Sequence, residues 1–273
     1  MPEGPEIRRV ADRLGKVLVG RPLVQTWFAF AEIAPIAGRL GRSRVTAVDC
    51  WGKALLITFS DGHVLYSHNQ LYGVWRIHRR GHAPTSGRKL RARLTTATHA
   101  ASLYSASDIS LWTIETVRQQ PFLARLGPDL LTHDVSVGDI EARLTESRFA
   151  GRGLGGLLLD QGFYAGIGNY LRSEILFYAG LSPRKRPRDL TAAQRQRLAR
   201  VILATIQQAY RQAGVTNRPV WRKRLQRAGE HRDQWRFAVF DREDLPCHAC
   251  DSIIVREAVA SRRLYRCPVC QPE

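Results

Sequence analysis

Apolar residues recur every three to four positions over residues 5–19. Ile7, Val10, Leu14, Val17 and Leu18 form one stripe, while Arg8, Arg9, Asp12, Arg13 and Lys16 fall elsewhere. That spacing predicts an amphipathic helix, closed by Gly20. From residue 22 to about 106 the pattern changes to short runs at 23–30, 44–50, 54–59, 63–68, 73–78, 91–95 and 101–105, separated by turn residues. These runs predict strands, and Ser60-Asp61-Gly62-His63 supplies a hairpin turn. So many strands with one amphipathic helix predict a β-sandwich or barrel.

The strand pattern stops near Asp108, and residues 137–146, 154–164, 169–179 and 189–213 then read as helices. The last is the plainest: Leu190, Leu198, Val201, Ile202 and Ala209 oppose Arg195, Arg197, Arg200 and Arg211. Residues 211–242 hold nine Lys or Arg against three acids, a stretch whose default reading is a solvated flexible loop. From Trp235 the tail reads as a small separate unit. The expected domains are therefore 1–133, 134–234 and 235–273.

Charge changes the picture. The 273 residues carry 42 Lys and Arg against 24 Asp and Glu, a formal charge of +18. An excess of this size points to nucleic acid or an anionic membrane surface as partner. Apolar content of 44% excludes wholesale disorder. No apolar run approaches the roughly 20 residues that span a bilayer. The start, Met1-Pro2-Glu3-Gly4-Pro5-Glu6, has no basic segment followed by an apolar stretch, so no secretory signal is expected and the expected location is the cytoplasm.

Four of the five cysteines agree with a reducing compartment. Cys247 with Cys250, and Cys267 with Cys270, form two Cys-x2-Cys knuckles near the C-terminus. Four thiolates at this spacing suit one closed, tetrahedral, structural Zn2+. A unit this small cannot hold a core of its own, and such a zinc contributes on the order of 10 kcal/mol to folding it. Cys50, between Asp49 and Trp51, reads as a plain core residue.

Pro2 is the next clue. With proline second, removal of Met1 is expected to leave a free secondary amine, with Glu3 and Glu6 beside it. An α-amino group titrates near about 8, against ~10.4 for lysine, so more of it is neutral and nucleophilic at pH 7. Proline's ring nitrogen is more basic than a primary α-amine, which reduces that gain. A secondary amine that attacks an aldehyde-level carbon gives an iminium that cannot relax to a neutral imine. That fixed cation is an electron sink for elimination at the neighbouring carbon. Proline at position two is common, however, and alone decides nothing.

It does not stand alone. Met1-Pro2-Glu3-Gly4-Pro5-Glu6, Gly52-Lys53, Gly166-Ile167-Gly168-Asn169-Tyr170 and the terminal Cys267-Pro-Val-Cys270-Gln271 together resemble the Fpg/Nei family of DNA glycosylases. The segments Tyr66-Ser-His-Asn-Gln-Leu-Tyr-Gly-Val-Trp75 and Pro121-Phe-Leu-Ala-Arg-Leu-Gly-Pro-Asp129 look like its Nei branch. The resemblance runs in order across nearly the whole chain.

The resemblance implies an α+β multidomain fold: an N-terminal β-sandwich with a terminal helix, a helix–two-turns–helix domain and a C-terminal four-cysteine zinc finger. DNA is then expected between the two halves. Matched position by position, Pro2 is the Schiff-base nucleophile, Glu3 the acid that helps open the sugar ring, and Lys53 an aid to β-elimination. Arg262 matches the zinc-finger arginine that contacts phosphate and assists δ-elimination; whether adjacent Arg263 shares that role stays open. Gln70, Leu71 and Tyr72 match the wedge that fills the gap left by a flipped base, although by pattern alone Leu71 and Tyr72 read as core. Arg125 and Asn169 match DNA contacts. Asn169 reads equally as the N-cap of the following helix, and the two roles are compatible.

The expected protein is thus a monomeric, bifunctional DNA glycosylase and abasic-site lyase of base excision repair. It is expected to act on oxidised pyrimidines in double-stranded DNA and on abasic sites, in the cytoplasm on the bacterial nucleoid, with no membrane contact. A formamidopyrimidine (oxidised purine) glycosylase is the alternative within the class. A non-catalytic zinc-ribbon DNA-binding protein is the alternative outside it. The arginine-rich stretch 214–234 is longer than the Nei pattern, which leaves the lesion ranking and the choice between duplex and single strands open.

The charge makes a first prediction. If about six phosphates are neutralised, affinity for DNA falls roughly a thousandfold between 50 and 200 mM salt, at a log–log slope of about −0.9 per phosphate. Fluorescence anisotropy against salt measures it, and a nearly flat response contradicts an electrostatic role for the +18 charge.

Overall fold

The structure is a computed structural model and describes residues 2–273. It divides into a unit ending at Arg125 and a second unit, Leu126–Glu273.

In the first unit the predicted helix is α1 (Gly4–Leu18), which buries Ile7, Ala11, Leu14 and Leu18, one residue per turn. Gly20 follows with φ +74°, a conformation glycine adopts freely. Then come β1 (Leu23–Phe28), a short α2 (Ala37–Leu40), β2 (Val45–Trp51), β3 (Ala54–Phe59), β4 (His63–His68), β5 (Val74–Arg79), β6 (Leu90–Thr96) and β7 (His99–Tyr104). The sequence pattern ends its strands near Asp108, yet an eighth strand begins there: β8 (Asp108–Thr113). Every residue of β8 is only half-buried, as befits the edge of a sheet, so its apolar signal is weak. Two four-stranded antiparallel sheets result, in the orders β1-β6-β7-β5 and β2-β3-β4-β8. They form a sandwich. Phe28, Leu94, Leu103 and Trp75 from one sheet share a core with Leu55, Ile57, Leu65 and Cys50 from the other, and with the buried face of α1.

The second unit holds α3 (Val137–Thr145), α4 (Ser147–Ala150), α5 (Leu154–Leu157), α6 (Asn169–Ala179), α7 (Ala192–Arg211), α8 (Pro219–Arg227), α9 (Arg232–Trp235) and the hairpin β9 (Val255–Val259) and β10 (Arg262–Arg266). The expected helix over 154–164 shrinks to α5. Asp160 stops it: its Oδ1 accepts the Gly162 N–H at 2.7 Å, a local turn that competes with helix. The long helix starts at Thr191, whose Oγ1 accepts the Gln194 N–H at 3.2 Å while Gln194 Oε1 accepts the Thr191 N–H at 2.9 Å. The basic stretch is not a plain loop, because α8 and α9 lie within it. Among the described residues, no helix is long and apolar enough to cross a membrane.

α6 is buried almost all round, Glu174 included. The Glu174 carboxylate accepts the Thr216 hydroxyl (2.6 Å) and the backbone N–H groups of Ala238 (2.9 Å), Val239 (2.8 Å) and Phe240 (3.0 Å). Burial pushes its pKa up, and these four donors oppose the rise. Glu174→Leu leaves four buried donors unmet and is expected to cost about 3–5 kcal/mol. A denaturant midpoint within error of wild type shows instead that the carboxylate holds nothing.

Candidate active site and metal-binding cysteines

The first unit gathers most of the predicted site at one end of a sheet. Lys53 lies in the two-residue turn between β2 and β3, where Trp51 pairs with Ala54. Gly52 takes φ +60° there, the glycine-first pattern of a tight hairpin. Ala54 pairs with His68 at the end of β4, and His68 with Asp108 at the start of β8. The segment carrying Gln70, Leu71 and Tyr72 therefore leaves the sheet at the same end as Lys53.

Pro2 and Glu3 reach that end because α1 runs antiparallel to β2. Val19 bridges to Val45, and the Arg8 guanidinium binds the Asp49 carboxylate at 2.6 Å. From Arg8 to Val19 the helix covers about 16 Å, and from Asp49 to Val45 the strand covers about 13 Å. The two ties thus match in length, and Glu3 continues past Asp49 toward Gly52 and Lys53. Glu3 is buried, and its N–H donates to Glu6 Oε2 at 3.0 Å. The expected loss of Met1 lies outside the described residues. Arg125 is exposed, with its Nε–H on the Pro121 carbonyl at 2.9 Å. Phe122 lies between these two residues and packs edge-on to His68 at 4.8 Å.

Leu71 and Tyr72 are not core: they are 65% and 70% exposed. Their loop is nevertheless tightly held. His68 Nδ1 accepts the Gln70 N–H at 3.2 Å, Gln70 Oε1 accepts the Ser107 hydroxyl at 2.9 Å, and the Tyr72 carbonyl accepts an Arg88 N–H at 2.6 Å. The Gly73 N–H donates to the Asn69 carbonyl at 2.7 Å. A Cβ at Gly73 would sit 2.6 Å from that oxygen, so the turn requires glycine. Burial lowers the His68 pKa; Asp108 opposes the fall and Lys53 adds to it. Two bulky apolar groups presented to water by a hydrogen-bonded loop suit insertion into something apolar, such as a base stack.

In the second unit Asn169 does not cap α6. Gly168 is the N-cap, in extended conformation, and Asn169 is the first helical residue; its Oδ1 lies 3.5 Å from the Arg172 guanidinium instead. The preceding loop turns at Gly166, φ +98°. Gln161 brackets it: Oε1 accepts the Gly166 N–H at 3.1 Å, and Nε2–H donates to the Ile167 and Leu159 carbonyls at 2.8 Å. The start of such a helix favours a phosphate.

Arg172 joins this loop to the predicted arginine. Its fully buried guanidinium donates to the carbonyls of Gly155 (2.9 Å), Val259 (3.0 Å), Arg263 (3.1 Å) and Arg262 (3.4 Å). It thus fixes the turn from β9 to β10, with the Arg262 and Arg263 side chains left exposed. Sequence reasoning misses Arg172, Gln161 and His68. An arginine one turn beyond Asn169, in a helix otherwise apolar at Leu171, Ile175 and Leu176, is the available signal for the first.

The four predicted cysteines converge. Their sulfurs lie within 4.8 Å of one another, with Cys250–Cys267 at 3.4 Å, Cys250–Cys270 at 3.5 Å and Cys247–Cys270 at 3.9 Å. Tetrahedral thiolates about 2.3 Å from a metal are about 3.8 Å apart, so the set can hold one ion. Gln271 anchors the knuckle, accepting the Cys267 N–H (3.0 Å) and donating to the Leu181 carbonyl (3.0 Å). Cys267→Ser is expected to unfold the hairpin and release Arg262, so that strand nicking and DNA binding fall together, by about tenfold or more, while the sandwich stays folded by circular dichroism. Nicking at the wild-type rate would show that the hairpin plays no part.

Known proteins place the chain. The formamidopyrimidine-DNA glycosylase N-terminal domain matches residues 1–107, and the formamidopyrimidine-DNA glycosylase H2TH domain matches residues 126–219. Endonuclease 8 of Klebsiella pneumoniae is 45% identical over 99% of this chain and 100% of its own length. Endonuclease 8 of Salmonella enteritidis is 44% identical over the same shares. Among solved structures, Lactococcus lactis Fpg bound to abasic-site DNA superposes with a TM-score of 0.80 at 21% identity, covering 99% of this chain and 100% of that one. MutM bound to DNA containing carbocyclic 8-oxo-G gives 0.81 at 20% identity, over 100% of both chains. The chain belongs to the Fpg/Nei family of DNA glycosylases, on its endonuclease VIII branch, and is a base-excision-repair glycosylase with abasic-site lyase activity.

Proposed function

We propose that the protein excises oxidised pyrimidines from duplex DNA through a Schiff base at Pro2 and then cleaves the strand by β,δ-elimination. One observation carries this reading: α1 and the β2–β3 turn bring Pro2, Glu3 and Lys53 to the sheet end from which the hydrogen-bonded Gln70-Leu71-Tyr72 loop projects.

Loss of Met1 frees the Pro2 amine. Leu71 and Tyr72 fill the space of an extruded nucleotide, offsetting the few kcal/mol that unstacking costs. The amine attacks C1′ of the damaged nucleotide and the base departs with its bonding electrons. The attacking nitrogen gives up its proton, and its lone pair expels the ring oxygen as Glu3 protonates it, so the C1′–O4′ bond breaks and an open-chain iminium forms. The resulting iminium withdraws electrons from C2′. Lys53 assists removal of a C2′ proton, and the C3′–O bond breaks. Arg262, held by the β9–β10 turn, binds phosphate and assists the second elimination, which breaks C5′–O. Water then hydrolyses the iminium and regenerates Pro2. Asn169 at the start of α6, and Arg125, bind phosphates of the same DNA. Cys247, Cys250, Cys267 and Cys270 would hold one Zn2+, whose part would be to supply folding energy to the hairpin rather than chemistry. The protein works as a monomer, in the cytoplasm on nucleoid DNA. The Gln70-Leu71-Tyr72 sequence and the endonuclease 8 relatives favour pyrimidine over purine lesions.

Borohydride tests the mechanism. Incubated with an abasic-site duplex, the protein is expected to freeze as an amine crosslink that peptide mapping places on Pro2, with Met1 absent. Retaining Met1 abolishes trapping and spares DNA binding. Glu3→Gln lowers base removal by about a hundredfold or more but spares cleavage of a preformed abasic site, whose sugar already offers an aldehyde. A crosslink on Lys53 reassigns the nucleophile. Cleavage without any crosslink sinks covalent catalysis. A thymine-glycol duplex is expected to be cut faster than an 8-oxoguanine duplex, and the reverse order supports the purine reading.

A further inference from the structure

The basic stretch after α7 is a folded module seated on the cysteine knuckle. Trp221 of α8 stacks on His248, with ring centroids 5.4 Å apart, and lies 6.3 Å from Phe177 near the C-terminal end of α6. The Arg218 guanidinium covers the Trp221 and Tyr178 rings at 5.0 and 5.3 Å. Arg222 donates to Gln212 Oε1 at 2.6 Å. These contacts turn one side of the helix inward. Lys223 and Arg227 point away from these contacts, and the Arg224 guanidinium lies at their edge, 3.5 Å from His248 Nδ1. All three are exposed around an open cavity of about 470 Å³ that Val220 and Trp221 also line.

This arrangement works against the helix that carries it. Lys223 and Arg227 are four apart and Arg224 and Arg227 three apart, spacings at which like charges repel. Nine residues are fewer than the roughly 12–15 an isolated helix needs in water. Asp233 pairs with His231 at 3.2 Å and Glu243 with Arg256 at 3.2 Å, while Glu230, three residues beyond Arg227, makes no ion pair with α8 among the described residues. Among the described residues, no ion pair joins the three cations to an acid. An external polyanion relieves the repulsion. Val220 is the only large apolar side chain strongly exposed on α8, too little for a helix that lies in a lipid interface, where a broad apolar face is needed.

We propose that Lys223, Arg224 and Arg227 form a second phosphate-binding surface that grips the DNA backbone away from the lesion, without regard to base. The proposal rests on the family's action on DNA and goes beyond the site described above. Phe177 lies about 12 Å along α6 from Asn169 at ~1.5 Å per residue, so α8 sits toward the other end of that helix from the phosphate-favouring loop. Contacts of this kind add affinity and fix register but read no sequence.

The test compares wild type with the triple variant K223Q/R224Q/R227Q on lesion-bearing and undamaged 30-base-pair duplexes. Removing three phosphate contacts lowers the salt slope by about 2.7, so the wild-type advantage in affinity shrinks about 40-fold between 50 and 200 mM salt, equally on both duplexes. K223R/R224K/R227K keeps the wild-type slope. If the triple variant fails to fold, Lys223→Gln alone lowers the slope by about 0.9. An unchanged slope overturns the proposal. So does a changed lesion ranking at constant slope, which moves these residues to base recognition. So does lost sedimentation with anionic phospholipid vesicles while DNA binding keeps its slope. Failure of the wild type to nick an abasic duplex counts against the glycosylase, not against α8.

Discussion

A charge buried in a protein must find partners there, and helix α6 carries two. Arg172 and Glu174 are both fully buried, at a desolvation cost of several kcal/mol each before compensation. The compensation builds the second unit. Arg172 collects carbonyls from α5 and from the β9–β10 hairpin, while Glu174 collects amides from residues 238–240 and the Thr216 hydroxyl. Two segments far away in sequence are thereby tied to one helix, in addition to the apolar packing of Ala238, Val239, Leu264 and Tyr265. The same helix begins at the loop bracketed by Gln161. A single element thus sets the positions of the phosphate-favouring loop, the exposed Arg262 and the segment that leads into the cysteine knuckle.

The first unit solves the placement problem differently, by register. A strand slip of one residue would send Lys53 to the other face and break the alignment of Ala54, His68 and Asp108. The register is guarded by the buried residues of β3 and β4, Leu55, Ile57 and Leu65 among them. Packing thus aims the polar groups at the sheet end. His68 gains from this as well. Its Nδ1 accepts the Gln70 amide and so converts strand register into loop geometry.

Periodicity made the sandwich legible. β3 and β4 were readable to the residue because turn residues bound their short apolar runs, and α1 to within one because its apolar stripe keeps one helical period. The signal failed where burial was partial or satisfaction was polar. β8 is half-buried throughout and offers no clean alternation. Residues after α5 are apolar enough for a helix, but the Asp160 carboxylate turns the chain first. Leu71 and Tyr72 look like core because apolarity is normally a burial signal; only hydrogen bonds from elsewhere in the fold hold them in water. The four cysteines needed no folding context, since ligand spacing is itself geometry. Arg172 was illegible in the opposite sense: its partners are backbone carbonyls, which every sequence supplies and none advertises.

The proposed nucleophile raises a final physical question, because chain termini normally fray and a reacting nitrogen must be held closely. The N-terminal sequence answers it within a few residues. Helix α1 starts at Gly4, leaving Glu3 as its N-cap and Pro2 as the residue before it. Pro5 sits in the first turn, where a missing N–H costs nothing and a fixed φ lowers the entropy of starting the helix. The Glu6 carboxylate takes the Glu3 N–H, so the last flexible peptide before Pro2 is pinned from the helix side. Gly4 and Pro5 are buried, and Arg8 ties the next turn to β2. Each of these ties lies within two turns of the terminus. Pro2 is thereby tied to the sandwich through α1, and the helix that a hydrophobic stripe created for packing also aims the proposed nucleophile.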